Sequence, residues 1–555
     1  SEKKTVGDGQ NETERAISLP MNGWFTTADW IVLFGYLALT TVIGHFMAGK
    51  QATIKDFFAG GKSLPWWAVC GSIIATEISG VTFIGVPGGV MAANGNFTYM
   101  LWGIGSIIGR VIVGMVFVKV FYEDEIYSPY DYMGRRIKPE LKKLATWFFT
   151  VGSILGQSVR ILVAALPLKI VTGLPFELCI LIIGVFAIGW TLMGGMRTVI
   201  WTDVMQFVLF TFGGVFALAW ISNSIDGGWS AIWSAASEAG KTKTWNGAFG
   251  IGPELQFTFW VAVIAVPFQN LTAFGVDQLN AQRMFCCKNA GDARKAIIWS
   301  SVGQALTYLM LLVGAALFAF YYFNPPSGEI AETLAFGKGG EPTSPSEGGV
   351  PSDGDLVFPV WIVTQLPAGL AGLILAGVFA AAISSLDSIL AALSQTTISL
   401  IHNPENQKDL DQAKLVKESR KWVIIWGLSL TVFTILMNIV KERLQVPILP
   451  LAFGMTSYTM GPLLGMFLCA LIGRANFRGI LWGACLSFLL TMFVRMDVWI
   501  LVKMVTGGVD WLAHLPTYEL NEGGKVVPLV GYFWMWPIGT LLTLGGGLIG
   551  SKMKH

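Results

Sequence analysis

The chain has 555 residues, of which 53% are hydrophobic and only 13% charged, with a formal net charge of +2. That charged share is about half of what an ordinary soluble domain carries, so a soluble enzyme is excluded and an all-α polytopic membrane protein with lipid as its solvent remains. Six cysteines at 70, 179, 286, 287, 469 and 485 and four histidines form no ligand pattern. Neither a disulfide framework nor a haem or zinc site is expected, and nothing in the charge balance points to nucleic acid.

In chain order, the polar stretch Ser1 to Ala16 lacks the apolar run of a cleavable signal, so the first span directs insertion. Some 20 apolar residues cross a bilayer as a helix, which gives about thirteen spans. They fall near 28–48, 64–94, 97–121, 144–171, 174–193, 199–221, 256–281, 295–323, 360–400, 422–440, 447–472, 479–503 and 530–550. Residues 1–27 form an outer tail and 28–48 an additional helix. Two five-helix sets follow at 64–222 and 256–472, and 477–555 hold two accessory helices with a short tail. Between the sets, 223–255 is an outer loop whose Trp229 to Trp233 stretch reads as an interfacial helix. The segment 324–357 is an outer loop rich in Pro, Gly, Ser and Glu, and Asp510 to Val527 is a third outer excursion. Basic residues cluster in alternate loops, as in Arg135, Arg136, Lys138, Lys142 and Lys143. The amino end is therefore expected outside and the carboxyl end in the cytoplasm, in an inner or plasma membrane.

Two spans are interrupted. Ser72 to Gly89 contains Thr76, Glu77, Ser79, Gly80, Thr82, Gly85, Pro87 and Gly88, and Val266 to Gln278 contains Pro267, Gln269, Asn270, Thr272, Gly275 and Asp277. In any one span, packing glycines and a proline kink explain such residues. Two at corresponding positions fit a transporter of inverted halves, each opened by a broken helix whose free backbone groups meet solute and ion.

The apolar helix Leu370 to Leu400 carries Ser384, Ser385, Asp387 and Ser388. Residues i, i+3 and i+4 share a face, so two hydroxyls and a carboxylate stand together, and a carboxylate at membrane depth marks an ion or proton path. Asp203 lies about a turn inside its span at the same depth. The competing readings are a polar packing patch for the first group, and a helix cap or an Arg197 partner for Asp203.

At this point the chain resembles a family. Gly194-Gly195-x-x-x-Val199-x-x-Thr202-Asp203-x-x-Gln206, Gly275-x-Asp277-Gln278-x-x-x-Gln282-Arg283, Ala380 to Ser388 and Leu64-Pro65-Trp66-Trp67 look like signatures of the sodium/solute symporter family, which has the LeuT-type fold. The resemblance covers roughly 28–475 and is specific as a combination. It implies a LeuT-like 5+5 inverted repeat, Na+ as coupling ion, no organic cofactor, a small-molecule solute and a monomer. The family's common sodium site matches Ala75, Ile78, Ala381, Ser384 and Ser385. A second site, present in some members, matches Asp203, Ser384 and Ser388, with Asp387 where some relatives have serine. Two sodium ions per cycle are the expectation, with proton coupling or facilitated transport as alternatives.

For the solute, Glu77, Ser79, Thr82, Arg160, Asn270, Phe274 and Gln304 are the expected contacts. The resemblance points to an organic anion, because Arg160 resembles the carboxylate-binding arginine of sialic-acid carriers and its two parallel donors suit a carboxylate. If Glu77 neutralises Arg160, a sugar, a polyol or an amino-bearing solute is the alternative. Arg110, Arg495 and Asp497 are expected as structural or snorkelling groups.

Overall fold

A computed structural model describes residues 24–47, 60–193 (except 125 and 127), 195–402 (except 335, 337–344, 346–348 and 352), 411–444, 447–495, 518–520 and 526–552. Eleven described helices are long and apolar enough to cross a bilayer. The bent pair Trp66–Glu77 and Gly80–Met91 makes a twelfth span, and the shorter apolar helix Phe176–Leu192 lies where the remaining one was expected. The fold is thus a multi-pass helical membrane protein.

We label the helices α1 (Thr27–Met47), α2 (Trp66–Glu77), α3 (Gly80–Met91), α4 (Phe97–Glu123), α5 (Pro139–Thr172), α6 (Phe176–Met193), α7 (Met196–Asn223) and α8 (Gly228–Glu238). There follow α9 (Phe259–Leu271), α10 (Gln278–Phe285), α11 (Ala290–Phe323), α12 (Val357–Gln365), α13 (Leu370–Ile401), α14 (Gln412–Leu444), α15 (Ile448–Ile472), α16 (Phe477–Val494) and α17 (Met535–Lys552). The tryptophan-rich stretch is the short helix α8. The span expected at 360–400 is divided: α12 ends at Gln365 and α13 starts after Gly369, whose φ of 86° lies in the left-handed region. Pro367 supplies no N–H for a continuous helix there. Asp497 and most of the stretches 337–348 and 510–527 fall outside the described residues, apart from a hairpin pairing Tyr518 with Pro528.

The centre of the bundle is α13. Its apolar window is 94% buried against 22% for α1, so its polar groups meet protein and not lipid. It packs on α5, α6, α7 and α14 and on both halves of the first broken helix, α2 and α3.

Both breaks are real and differ in kind. After α2, Ile78 (φ −80°, ψ 68°) and Ser79 (φ −82°, ψ 178°) leave the helical region, and the chain turns by 48° into α3. The Ser79 hydroxyl accepts from Val81 N at 3.3 Å, capping α3. In the second break a π-helical turn, Thr272–Val276, leads to an extended Asp277 (φ −68°, ψ 126°). Its carboxylate accepts from Leu279 N at 2.8 Å to start α10.

The carboxyl-terminal end of α3 is covered by the segment 353–356. A Cβ on Gly88 would stand 2.5 Å from the Gly354 carbonyl oxygen, so the backbones meet only because both residues are glycine. Asp355 follows, buried, accepting from Ile448 N at 2.8 Å, while Lys441 holds Asp353 at 3.2 Å. Burial, and then the nearby Asp353, push the Asp355 carboxyl up to about 7, with Lys441 and the Ile448 N–H opposing. The folded protein therefore holds this proton where the unfolded chain has lost it, and stability from this group falls as pH rises from about 4 to 7. Asp355→Asn, which mimics the neutral acid, should be neutral near pH 4 and stabilise the protein by on the order of 4 kcal/mol near pH 8. Thermal unfolding in detergent at the two pH values reads this directly, and an equal effect at both would contradict it.

Candidate functional site

Between the two breaks lies a cavity of about 180 Å³. It brings together all the expected solute contacts: Glu77, Ser79 and Thr82 from the first broken helix, Arg160 from α5, Asn270 and Phe274 from the second, and Gln304 from α11. The end of α2 and the start of α3 both lie in its wall, through Thr76 and Glu77 on one side of the break and Ser79, Val81 and Thr82 on the other. A cation suits the first end and an anion the second.

One wall is a hydrogen-bonded polar network. Glu77 forms an ion pair with Arg110, and Gln304 Nε2 donates to Glu77 Oε1 at 2.9 Å. Arg110 is fully buried, donates to the Ser300 carbonyl at 2.7 Å and lies 4.4 Å over the Phe274 ring. Ser106 donates to Asn270 Oδ1 at 2.9 Å, and Asn270 Nδ2 donates to Gln269 Oε1 at 2.7 Å. Arg110 therefore does not snorkel; it is the counter-charge of Glu77. Equally, Glu77 does not neutralise Arg160, because its carboxylate is taken. Arg495 rests over the Tyr458 and Tyr532 rings, 5.9 and 5.5 Å away.

The wall made by α5 is different. Arg160 lines the cavity with its Nη1 buried and without a hydrogen-bond partner. The charges acting on it come from Arg283 and Asp277. A guanidinium with a buried, unused donor has the chemistry to take an anion.

Most of the residues expected to hold a cation lie on α13. Ser384 and Ser385 follow Ala381 by about one helical turn, and α13 packs against α2, whose last turn holds Ala75 and whose C-cap is Ile78. These oxygen donors fit a small hard cation. At the expected second site, Ser384 and Ser72 both donate to Asp203, and Ser388 donates to the Ser384 carbonyl at 2.9 Å. Asp203 pairs neither with Arg197 nor with its own helix terminus. Its charged partner is the fully buried Arg283 of α10, 3.2 Å away. Arg283 also donates to Ser388 Oγ at 2.7 Å, Ser72 Oγ at 3.0 Å and the Leu279 carbonyl at 2.7 Å. The guanidinium thus rests on the oxygens expected to hold a second sodium. Asp387 points elsewhere, with Oδ1 2.6 Å from Thr191 Oγ1 on α6.

Sequence reasoning missed the roles of Ser72 and Thr191 and the partners of Arg110 and Arg283. Arg283 stood inside a motif already singled out, and only its tertiary partner was invisible. Arg110 carried the general signal of a charge at membrane depth.

Comparison with known proteins agrees with this architecture. Over 482 residues the chain is 27% identical to the sodium/sialic acid symporter SiaT of Proteus mirabilis, covering 85% of this chain and 90% of the relative. It is 28% identical over 478 residues to the sodium-coupled monocarboxylate transporter 1 of Homo sapiens, covering 85% of this chain and 74% of the relative. A solved substrate-bound, outward-open structure of a Na+-coupled sialic acid symporter matches with a TM-score of 0.73 at 24% identity, over 95% of this chain and 98% of that one. That likeness gives the fold, a LeuT-type bundle. Residues 57–487 match the family description "Sodium:solute symporter family", and with its two broken helices around one polar cavity the chain belongs to that family of solute carriers.

Proposed function

We infer that the protein is a secondary active transporter that moves a small organic anion together with sodium by alternating access. The observation that carries the anion half is the unpartnered Arg160 Nη1 in the cavity wall. The relatives named above point the same way, since sialic acid and monocarboxylates share a carboxylate. A solute carboxylate would take the Arg160 fork, with the Ser79 and Thr82 hydroxyls and the start of α3 adding donors. Because Arg110 already balances Glu77, an ammonium group is not what that wall lacks.

Sodium would bind first, between the Ala75 and Ile78 carbonyls and Ala381, Ser384 and Ser385, fixing the broken helix against α13 and so completing the solute cavity. A second ion at Asp203, Ser384 and Ser388 requires Arg283 to leave those oxygens, and the turnover of two sodium ions per cycle is proposed on that condition. Asp387 would act there as a nearby negative charge, not as a direct ligand. With the amino end outside and the carboxyl end in the cytoplasm, each inward charge gains about 2.3 kcal/mol per 100 mV. The five-helix sets 64–222 and 256–472 would then be the halves that rock against each other, and 28–48 and 477–555 accessory helices. No organic cofactor is needed, and one chain forms the whole path.

The test is uptake of labelled N-acetylneuraminate and lactate into proteoliposomes under an inward sodium gradient, with potassium as control. Accumulation that requires sodium and falls by on the order of 100-fold in Ser384→Ala/Ser385→Ala is expected, since two cation ligands are lost. Equal uptake with potassium would contradict the reading.

A further inference from the structure

On the α5 side of the cavity, several buried polar atoms have no partner: Ser153 Oγ, Gln157 Oε1, Arg160 Nη1 and, from α10, Asn280 Oδ1. All of these residues line the cavity. Ser153, Gln157 and Asn280 are only 5%, 8% and 8% exposed, and a protein seldom leaves such groups idle. Their arrangement is not accidental to the helix: 153, 157 and 160 are spaced by four and three, so they form one stripe along α5. Asn280 is oriented, because its Nδ2 donates to the Ala273 carbonyl at 2.8 Å and leaves Oδ1 as the free end. The facing wall offers a contrast, since Ser106, Asn270, Gln304 and Glu77 bond one another.

We propose that Ser153, Gln157 and Asn280 form a solute subsite beside Arg160, which takes hydroxyl or amide donors carried by the transported molecule. The chemistry follows from the atoms left open. Gln157 Oε1 and Asn280 Oδ1 only accept, and Ser153 does either. A solute that satisfies them brings O–H or N–H groups, while its carboxylate goes to Arg160. A plain hydrocarbon acid would seal these acceptors against methylene groups and leave them unpaired. A site built to bond a substrate hydroxyl rejects the analogue without one. The class selected is therefore a polyhydroxy or acylamino carboxylate. Water can also fill these groups, so the effect is read as selectivity between solutes and not as bare affinity.

The subsite rests on the anion reading for the Arg160 half, and the experiment separates the two. Purified wild-type protein in sodium is titrated with hexanoate, gluconate and N-acetylneuraminate, and also with neutral sorbitol, and the titrations are repeated for Gln157→Met and Asn280→Leu. The expected result is that gluconate and N-acetylneuraminate bind at least about 10-fold more tightly than hexanoate. Each variant should shrink that gap to about 3-fold or less while leaving hexanoate and sodium affinity unchanged. Equal binding of hexanoate and gluconate by the wild-type protein, which needs no variant, overturns the subsite. Loss of all acids to the same degree in Gln157→Met overturns it too. If sorbitol binds, no acid does, and Gln157→Met weakens sorbitol, the anion reading falls while the subsite stands.

Discussion

Replacing Arg160 with methionine should abolish carboxylate binding while leaving sodium binding intact. The side chain is packed in α5, and its Nη1 has no protein partner, so methionine of similar length keeps the packing and removes only the receptor. Truncating one partner of a desolvated charge pair costs about 3 kcal/mol, on the order of a 100-fold rise in the dissociation constant of the acid. Arg160→Lys should recover little, because a single ammonium cannot reproduce the two parallel donors. Isothermal titration of the acid in saturating sodium measures the loss. A sodium-induced thermal shift equal to wild type shows that the fold and the cation site survive. Unchanged acid affinity would move the solute to another wall.

The second large effect concerns Arg283. In Arg283→Met, Asp203 keeps Ser72 and Ser384 as donors but loses its buried positive partner. Leaving one member of a buried pair alone costs about 3 to 5 kcal/mol, so the variant in potassium or choline should be strongly destabilised. Sodium can then enter where the guanidinium stood. At about 100 times its dissociation constant an ion returns roughly 2.7 kcal/mol. The variant's melting temperature should thus climb with sodium far more steeply than that of the wild-type protein. Asp203→Asn strands the arginine instead, and sodium should not rescue it. If sodium stabilises wild type and Arg283→Met equally, the guanidinium and the ion do not share the Asp203 oxygens.

These expectations also show how far the sequence alone could reach. Both breaks were legible because Gly80, Pro87, Pro267 and Gly275 interrupt hydrocarbon runs, and because polar residues at membrane depth have few structural uses. The serines of α13 were legible by helical period. What was not legible is pairing across distant segments. Nothing in the sequence says that Glu77 meets Arg110, 33 residues away, and not Arg160. Nor does it say that Arg283 reaches Asp203 across 80 residues of chain. Asp387 illustrates the same limit at short range. Its spacing from Ser384 and Ser388 puts it near their face, but a carboxylate at i+3 can lean to either neighbour, and here it takes Thr191 of α6. The stripe Ser153, Gln157 and Arg160 had a readable period. It went unnoticed because an idle polar atom is recognised only once its surroundings are known.

The most direct test of sodium coupled to an organic anion is the affinity of purified protein for N-acetylneuraminate as a function of sodium. Linkage requires each ligand to tighten the other by the same factor. The account predicts that acid affinity rises by at least about 10-fold from potassium to saturating sodium, and that sodium affinity rises equally when the acid is present. An acid affinity that does not change with sodium would contradict it.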